Sequence, residues 1–193
     1  MLYLGFDAGS QLFGVSAIHE GKKIAFMTSI PRPYPKDSRF LKEAHAAPVA
    51  QQVTDIVRDW IKKTKAKELT LTVEEYYPGR GNAQWVVPWL QAYVLGYFIR
   101  DAKIEGLLKQ LNYVMPSVWK KNLIGKRTNG KEMVMDFVQT RCHLNEWKAQ
   151  ALTEEQDQYD AFGIAYYGFL LSKGEAIERN TIKHHSVKDG ALF

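Results

Sequence analysis

Four acidic residues stand where predicted secondary structure begins or ends. Asp7 and Glu74 each close an apolar run, and Asp157 and Asp160 open the last apolar stretch, EEQDQYDAFGIAYYGF. On a helix, two carboxylates three residues apart are neighbours and repel each other. Two explanations are open for this pair: the acids cap an ordinary helix, whose dipole favours negative charge in the first turn, or they bind a divalent cation.

The strands around the acids decide whether all four can meet. If the first and fourth strands are neighbours, Asp7 and Glu74 leave the sheet at the same edge, and the last helix can bring Asp157 and Asp160 over it. Four converging carboxylates would either protonate or capture cations. Oxygen ligands without Cys or His favour Mg²⁺ or Mn²⁺ over Zn²⁺. Two such ions about 3.5–4 Å apart would activate a water molecule and stabilise the leaving oxygen of a phosphodiester.

The order of elements predicts an α/β fold. Three strands joined by short turns, MLYLGFD, LFGVSAIHE and IAFMTSI, form an antiparallel meander. A proline-rich loop over 31–38 precedes an amphipathic helix from about Phe40 to Lys63. ELTLTVEEYY and LNYVMP predict two more strands, and further helices are predicted from about Ala83, over Gly130–Thr140 and over 157–172. The prediction is a mixed five-stranded sheet with helices on both faces.

The length and composition predict one globular domain. A chain of 193 residues that is 46% hydrophobic and 24% charged is typical of a folded protein and not of a disordered one. We expect the domain to span 1–173 and residues 174–193, which lack periodicity, to form a mobile tail. His184 and His185 are adjacent within that tail and would make a poor metal site.

The expected location is cytoplasmic. Cys142 is the single cysteine, which excludes a disulfide framework and a thiolate metal cluster and favours a reducing compartment. The first residues show no signal peptide. The most apolar run, Trp85–Ile99, is too short to span a bilayer, for which about 20 residues are needed. We expect no membrane association, and we interpret this run as a buried helix or a homodimer interface.

The net charge of +5 and the pI of about 9.1 permit nucleic-acid binding without proving it. Positive charge is concentrated in KKNLIGKRTNGKE, which we interpret as a loop. Its five basic residues are Lys120, Lys121, Lys126, Arg127 and Lys131.

The segments that carry the four acids and the basic residues, taken in chain order, resemble those of the RuvC family of Holliday junction resolvases, which have a ribonuclease H-like fold. GFDAGSQLFGVSAI is similar to the family's opening strand, with an acid, a glycine turn and a second-strand glycine at Asp7, Gly9 and Gly14. LTVEEYY resembles the second acidic motif, and its register selects Glu74 over Glu75. DQYDAFGIAY resembles the closing helix with its two aspartates.

The remaining segment, PSVWKKNLIGKRTNGKEMV, is similar to a basic segment of the family, with positions in register at Pro116, Lys120, Gly125 and Lys131. The resemblance covers roughly residues 2–172. The proline-rich loop and the tail are additions to a compact resolvase, and they fit a phage-type member with broader activity on branched DNA.

The resemblance implies a catalytic site and a partner. Asp7, Glu74, Asp157 and Asp160 would bind two Mg²⁺ ions, with Mn²⁺ able to substitute, and would cleave DNA. The protein would be a homodimer whose two sites nick symmetrically related strands of a four-way junction.

The resemblance also implies contacts with DNA. Lys120 and Lys131 would lie beside the scissile phosphate and act in catalysis, and Tyr77 would contact bases near the crossover. Adding the remaining basic side chains gives a candidate DNA-binding set of Tyr77, Arg80, Lys120, Lys121, Lys126, Arg127 and Lys131.

Other functions remain open on the sequence. A ribonuclease H-type enzyme acting on RNA–DNA hybrids would have the same fold, and a DNA-binding module could have lost cleavage. An ATP-binding domain of the actin or kinase type also opens with an Asp-x-Gly strand and a meander. Such proteins need a second lobe with a second Asp-x-Gly strand, which this sequence lacks.

Overall fold

A seven-stranded mixed sheet forms the centre of the computed structural model. The structure describes residues 1–9, 12–31, 43–76, 86–125, 131–143, 147–150, 156–175 and 183–186. The strands are β1 (Leu2–Ala8), β2 (Leu12–His19), β3 (Ile24–Pro31), β4 (Leu69–Glu74), β5 (Leu108–Val114), β6 (Lys148–Gln150) and β7 (Lys183–Ser186). The helices are α1 (Glu43–Thr64), α2 (Val86–Ile99), α3 (Ala102–Glu105), α4 (Pro116–Ile124), α5 (Lys131–His143) and α6 (Gln156–Ser172).

The strand order is β6-β3-β2-β1-β4-β5-β7. The antiparallel meander β1–β2–β3 is present as predicted, and β4 and β5 follow beside β1 in parallel. The α/β class, the mixed sheet and the helices on both faces are therefore confirmed. Two short edge strands extend the five predicted ones: β6 pairs in parallel with β3, and β7 pairs antiparallel with β5.

Residues 183–186, within the predicted mobile tail, form β7, which pairs with β5. The rest of 176–193 lies outside the described residues, so the predicted domain and tail stay a prediction. One prediction of local structure is wrong. Lys120 and Lys121 were predicted in a loop, but both are on α4. Pro116 occupies the start of α4, where its missing N–H costs no hydrogen bond, and Val118 and Trp119 are buried.

The alternation of side chains along the sheet separates two hydrophobic clusters. Leu2, Leu4 and Phe6 of β1 pack in one cluster with α1 and α2, whereas Tyr3 packs in the other with α4, α5 and α6. Successive side chains of a strand point to opposite faces, so one strand contributes to both clusters. Helices therefore cover both faces of the sheet. Because side chains alternate along β1, the face of each later residue of the strand is also determined.

Helix α1 shows the predicted amphipathic pattern. Val49, Val53, Val57 and Ile61 are buried at helical spacing, whereas Lys62 near its end is exposed. Within the described part of the chain, no helix is long and apolar enough to cross a membrane.

Candidate active site

Asp7 and Glu74 lie side by side at one end of the sheet. β1 and β4 are parallel neighbours with Phe6 opposite Val73, so the next residue of each strand is one of the two acids. On its other side, Asp7 is paired with Gly14 of β2. The proximity expected for Asp7 and Glu74 is therefore present in the structure.

Helix α6 lies directly on β1 and β2 because glycines leave space for its backbone. A Cβ atom on Gly14 would be 2.0 Å from the carbonyl oxygen of Asp157, and one on Gly5 would be 2.1 Å from that of Ala161. Neither distance is possible for a real side chain. The two glycines therefore allow the start of α6 to sit over the end of β1 that carries Asp7.

The charges of the other three acids act on Asp7. Burial raises the pKa of Asp7 well above its usual value, and the carboxylates of Glu74, Asp160 and Asp157 raise it further, in that order. Lys120 lowers it. The protein thus brings the four predicted acids together and places one positive charge beside them.

The acid cluster has the donor atoms for a hard cation but not a closed coordination sphere. Among the residues that the structure describes, no three carboxylate, imidazole or thiol groups are positioned to hold a metal ion as they lie. Side-chain movement would be needed for coordination by three acids. All four donors are carboxylates, which suit Mg²⁺ and Mn²⁺.

Glu74 is held by both its side chain and its backbone. The indole Nε1 of Trp119 donates a hydrogen bond of 2.7 Å to Oε2 of Glu74, and Nε2 of Gln91 donates one of 2.8 Å to its backbone oxygen. Burial raises the pKa of Glu74 to about 7, with the Trp119 hydrogen bond and the charge of Lys120 acting in the opposite direction.

Glu75 faces away from this cluster. It lines a cavity with Pro88, Leu95 and Tyr113, and its charge contributes to a raised pKa of Tyr113, for which burial is the larger cause. Glu75 does not appear among the groups that shift the pKa of Asp7, whereas Glu74 comes first among the neighbouring charges. Strand alternation thus separates the two glutamates.

Asp157 and Asp160 occupy the beginning of α6. Nε2 of Gln156 donates a hydrogen bond of 3.3 Å to Oδ1 of Asp160. Asp157 is in the first turn, where the helix dipole also favours negative charge. A Cβ on Gly9 would be 2.9 Å from Oδ1 of Asp157, so the glycine turn after β1 leaves room for this carboxylate.

Of the predicted basic residues, the structure places Lys120 close to the acids. Its Nζ lies 5.0 Å from the centre of the Trp119 ring, and its charge lowers the pKa of both Asp7 and Glu74. Lys121 is exposed on α4. Lys131 begins α5, and its side chain is not among those described. Tyr77, Arg80, Lys126 and Arg127 lie outside the described residues.

Sequence reasoning missed Trp119 and Gln91. Trp119 directly precedes the predicted loop that begins at Lys120, and this position gave no sign that it is buried. Gln91 stands within the apolar run of α2, where a lone amide among apolar neighbours indicates a buried hydrogen bond.

Comparisons with known proteins give matches in structure and none in sequence. No protein-family model matches the chain, and no curated protein is significantly similar to it. The structure of Thermus thermophilus RuvC superposes with a TM-score of 0.59 at 19% identity, covering 91% of this chain and 98% of that one.

The chain has the fold of RuvC. T. thermophilus RuvC in complex with a Holliday junction substrate matches with a TM-score of 0.58 at 17% identity, over 91% of this chain and 98% of that chain. The yeast mitochondrial Holliday junction resolvase Ydc2 matches with a TM-score of 0.51 at 13% identity, over 90% and 79% of the respective chains. At these identities the likeness to RuvC and Ydc2 concerns the fold, which confirms the ribonuclease H-like architecture expected from the sequence.

Proposed function

We propose that this protein is a metal-dependent endonuclease that cleaves Holliday junctions and related branched DNA by hydrolysing phosphodiester bonds. The observation that carries the proposal is the interaction of Asp7 with Glu74, Asp157 and Asp160 at one end of a RuvC-like sheet. A fold shared with resolvases supports the substrate class, and the acid cluster supports the chemistry.

The four carboxylates would hold two divalent cations, with Mg²⁺ as the expected ion and Mn²⁺ as a substitute. When bound, the ions would activate water and stabilise the leaving oxygen. Asp7 interacts with all three other acids, and its burial disfavours an uncompensated negative charge. We therefore assign Asp7 to the centre of the site and the other three acids to its sides.

Lys120 would act on the DNA phosphate beside the carboxylates. Its ammonium group is close enough to lower the pKa of two acids, and it is partly exposed. A positive charge at this place would stabilise the negative charge that grows on the phosphate during displacement. We assign the same role to Lys131 at the start of α5, in agreement with the resemblance of the sequence.

Further contacts with DNA would follow the basic segment between α4 and α5. Exposed cations there would neutralise phosphates, so binding would weaken as salt concentration rises. The residues that we propose for these contacts and for base stacking are Lys121, Lys126, Arg127, Arg80 and Tyr77.

The protein would act as a homodimer joined through α2. Among the described residues there are three exposed large hydrophobic side chains, and two of them, Trp89 and Tyr97, are on α2. Trp89 stacks on Tyr93 of the same helix, with 5.4 Å between ring centres. A two-fold axis through this surface would give two sites related like the strands of a four-way junction.

The test of function uses labelled four-way, three-way, flap and linear DNA and an RNA–DNA hybrid, each with Mg²⁺ or with EDTA. We expect paired nicks in the four-way junction that EDTA abolishes, and little cleavage of linear DNA. Preferred cleavage of the hybrid would instead indicate a ribonuclease H-type enzyme. Absence of metal-dependent cleavage of any of these substrates would refute the proposal.

The test of the site replaces each acid by its amide. Asp7→Asn, Glu74→Gln, Asp157→Asn and Asp160→Asn should each nearly abolish cleavage while junction binding survives, because a charge that repels phosphate is removed. Glu75→Gln is the matched control and should remain active. Asn also caps helices well, so a fully active Asp157→Asn enzyme would support the helix-capping explanation and contradict the metal site.

A further inference from the structure

A buried tryptophan connects α4 to one of the proposed cation ligands. Trp119 is 0% exposed, and its Nε1 donates a hydrogen bond of 2.7 Å to Oε2 of Glu74. We propose that Trp119 is a positioning residue, which fixes the orientation of the Glu74 carboxylate for a divalent cation. This inference rests on the function proposed above.

The position of the indole ring is itself fixed by α6. A Cβ on Gly163 would lie 2.6 Å from Cζ3 of Trp119, so the ring occupies space that only glycine leaves free. Helix α6 also carries Asp157 and Asp160. One side chain therefore connects the acid of β4 to the helix that bears two of the other acids, and the relative position of these acids depends on it.

The indole also orients the basic side chain beside the site. The Nζ of Lys120 lies 5.0 Å from the centre of the Trp119 ring, within the range of a cation–π interaction. The same ring thus contacts a carboxylate through its N–H and an ammonium group through its face. Phenylalanine at this position would keep the ring face and lose the N–H, which allows the two contacts to be separated.

The hydrogen bond from Trp119 to Glu74 is of a kind that can orient a cation ligand. An indole N–H can only donate, so Trp119 cannot replace Glu74 as a cation ligand. Groups that hydrogen-bond to a ligating carboxylate typically contribute about 10–100-fold to metal affinity or activity. We expect an effect of this size when the N–H is removed.

The direct measurement is the NMR signal of the Trp119 indole N–H in protein labelled with ¹⁵N and free of DNA. The chain has five tryptophans, and the signal is assigned by its loss in Trp119→Phe. We expect Glu74→Gln to move this signal upfield, because an amide oxygen accepts a weaker hydrogen bond than a carboxylate. Addition of Mg²⁺ should shift it in a saturable manner in the wild type.

The functional measurement compares Trp119→Phe with Trp147→Phe. Trp147 is also buried, at 3% exposure, in the same hydrophobic cluster, and its ring contacts Lys23, Tyr166 and Phe169. We expect Trp119→Phe to weaken Mg²⁺ binding and to lower kcat by about 10–100-fold without changing KM for the junction. Trp147→Phe should change stability alone.

The outcomes separate this inference from the function on which it rests. An indole signal that does not move in Glu74→Gln, or equal losses of Mg²⁺ binding and kcat in the two phenylalanine variants, would overturn the positioning role. If the wild type cleaves no junction but Trp119→Phe weakens Mg²⁺ binding, the proposed substrate is wrong and the positioning role stands. If Trp119→Phe does not fold, the signal is assigned by elimination, from phenylalanine variants of the other four tryptophans. Its position in Glu74→Gln and its response to Mg²⁺ in the wild type then decide.

Discussion

Replacing Gly14 by alanine would test whether the site requires α6 to lie directly on the sheet. Gly14 is in β2, opposite Asp7 of β1. The added methyl group would be 2.0 Å from the carbonyl oxygen of Asp157 and 2.7 Å from its carbonyl carbon. Both are backbone atoms of a helix, so no side-chain rotation can relieve the contact. Either α6 or β2 must move.

The displacement can be estimated from these distances. Real Cβ atoms essentially never come within 3.0 Å of a heavy atom of a residue that is not a chain neighbour, so Asp157 and Gly14 must separate by about 1 Å. A misplacement of this size typically lowers catalytic rates by about 10²-fold. Overpacking of a close-packed interior should also lower the free energy of unfolding by about 1–3 kcal/mol.

Gly168→Ala is the matched control for Gly14→Ala. A Cβ on Gly168 would be 2.2 Å from Oγ1 of buried Thr72, so this variant also overpacks the contact between α6 and the sheet. Gly168 lies about three helical turns beyond Asp157, however, so the displaced part of α6 is remote from the acids. We expect a similar loss of stability with most of the cleavage activity retained.

Both variants should be studied by urea unfolding and by cleavage of a four-way junction with Mg²⁺, at a temperature where circular dichroism shows each to be folded. Wild-type kcat in folded Gly14→Ala would refute the argument that the position of Asp157 matters. Equal losses of kcat in Gly14→Ala and Gly168→Ala would show that activity follows the general stability of the α6 interface and not the placement of the acids.

Three further predictions concern charge and assembly. Lys120→Ala should reduce cleavage more than junction binding, whereas Lys121→Ala should weaken binding and leave kcat unchanged; proportional losses of affinity and rate in Lys120→Ala would contradict this. Without metal, the free energy of unfolding should fall as pH rises from 4.5 to about 7, because folded Glu74 keeps its proton over this range and the unfolded state releases it; urea titrations should show a smaller slope in Glu74→Gln. Replacing Trp89 and Tyr97 by serine should give a monomeric mass by light scattering where the wild type gives a dimer.

The pairing of Asp7 with Glu74 was predictable from the sequence because it follows from topology. A short apolar run identified the first strand and apolar alternation identified the fourth, and a helical segment between β3 and β4 allows β4 to lie parallel to β1. The register then follows from where each apolar run ends. The same reasoning could not distinguish Glu74 from Glu75 by pattern alone. The two glutamates point to different faces of the sheet, and the face of each depends on packing: Glu75 lies beside α2, and Glu74 lies beside Trp119 of α4.

The basic segment was predicted less well because α4 is short. Helix α4 has nine residues and buries two of them, Val118 and Trp119, which is too few to give a clear helical period. Pro116 at its start was the available signal. The edge strands β6 and β7 gave a still weaker signal in the sequence, because strands of three and four residues are too short to show an alternating pattern.

Helix α6 explains why the geometry of the site was harder to predict than its composition. From Ala161 to Gly168 every residue of α6 is buried, so this part of the helix has no polar face from which its orientation could be inferred. Its orientation is set instead by missing Cβ atoms, on Gly14 under Asp157 and on Gly163 beside Trp119. The sequence does not show which residue packs against a given glycine. The acids that meet at Asp7 could therefore be proposed from residue type and order, but the supporting role of Trp119 required the three-dimensional contact between residues that are distant in the chain.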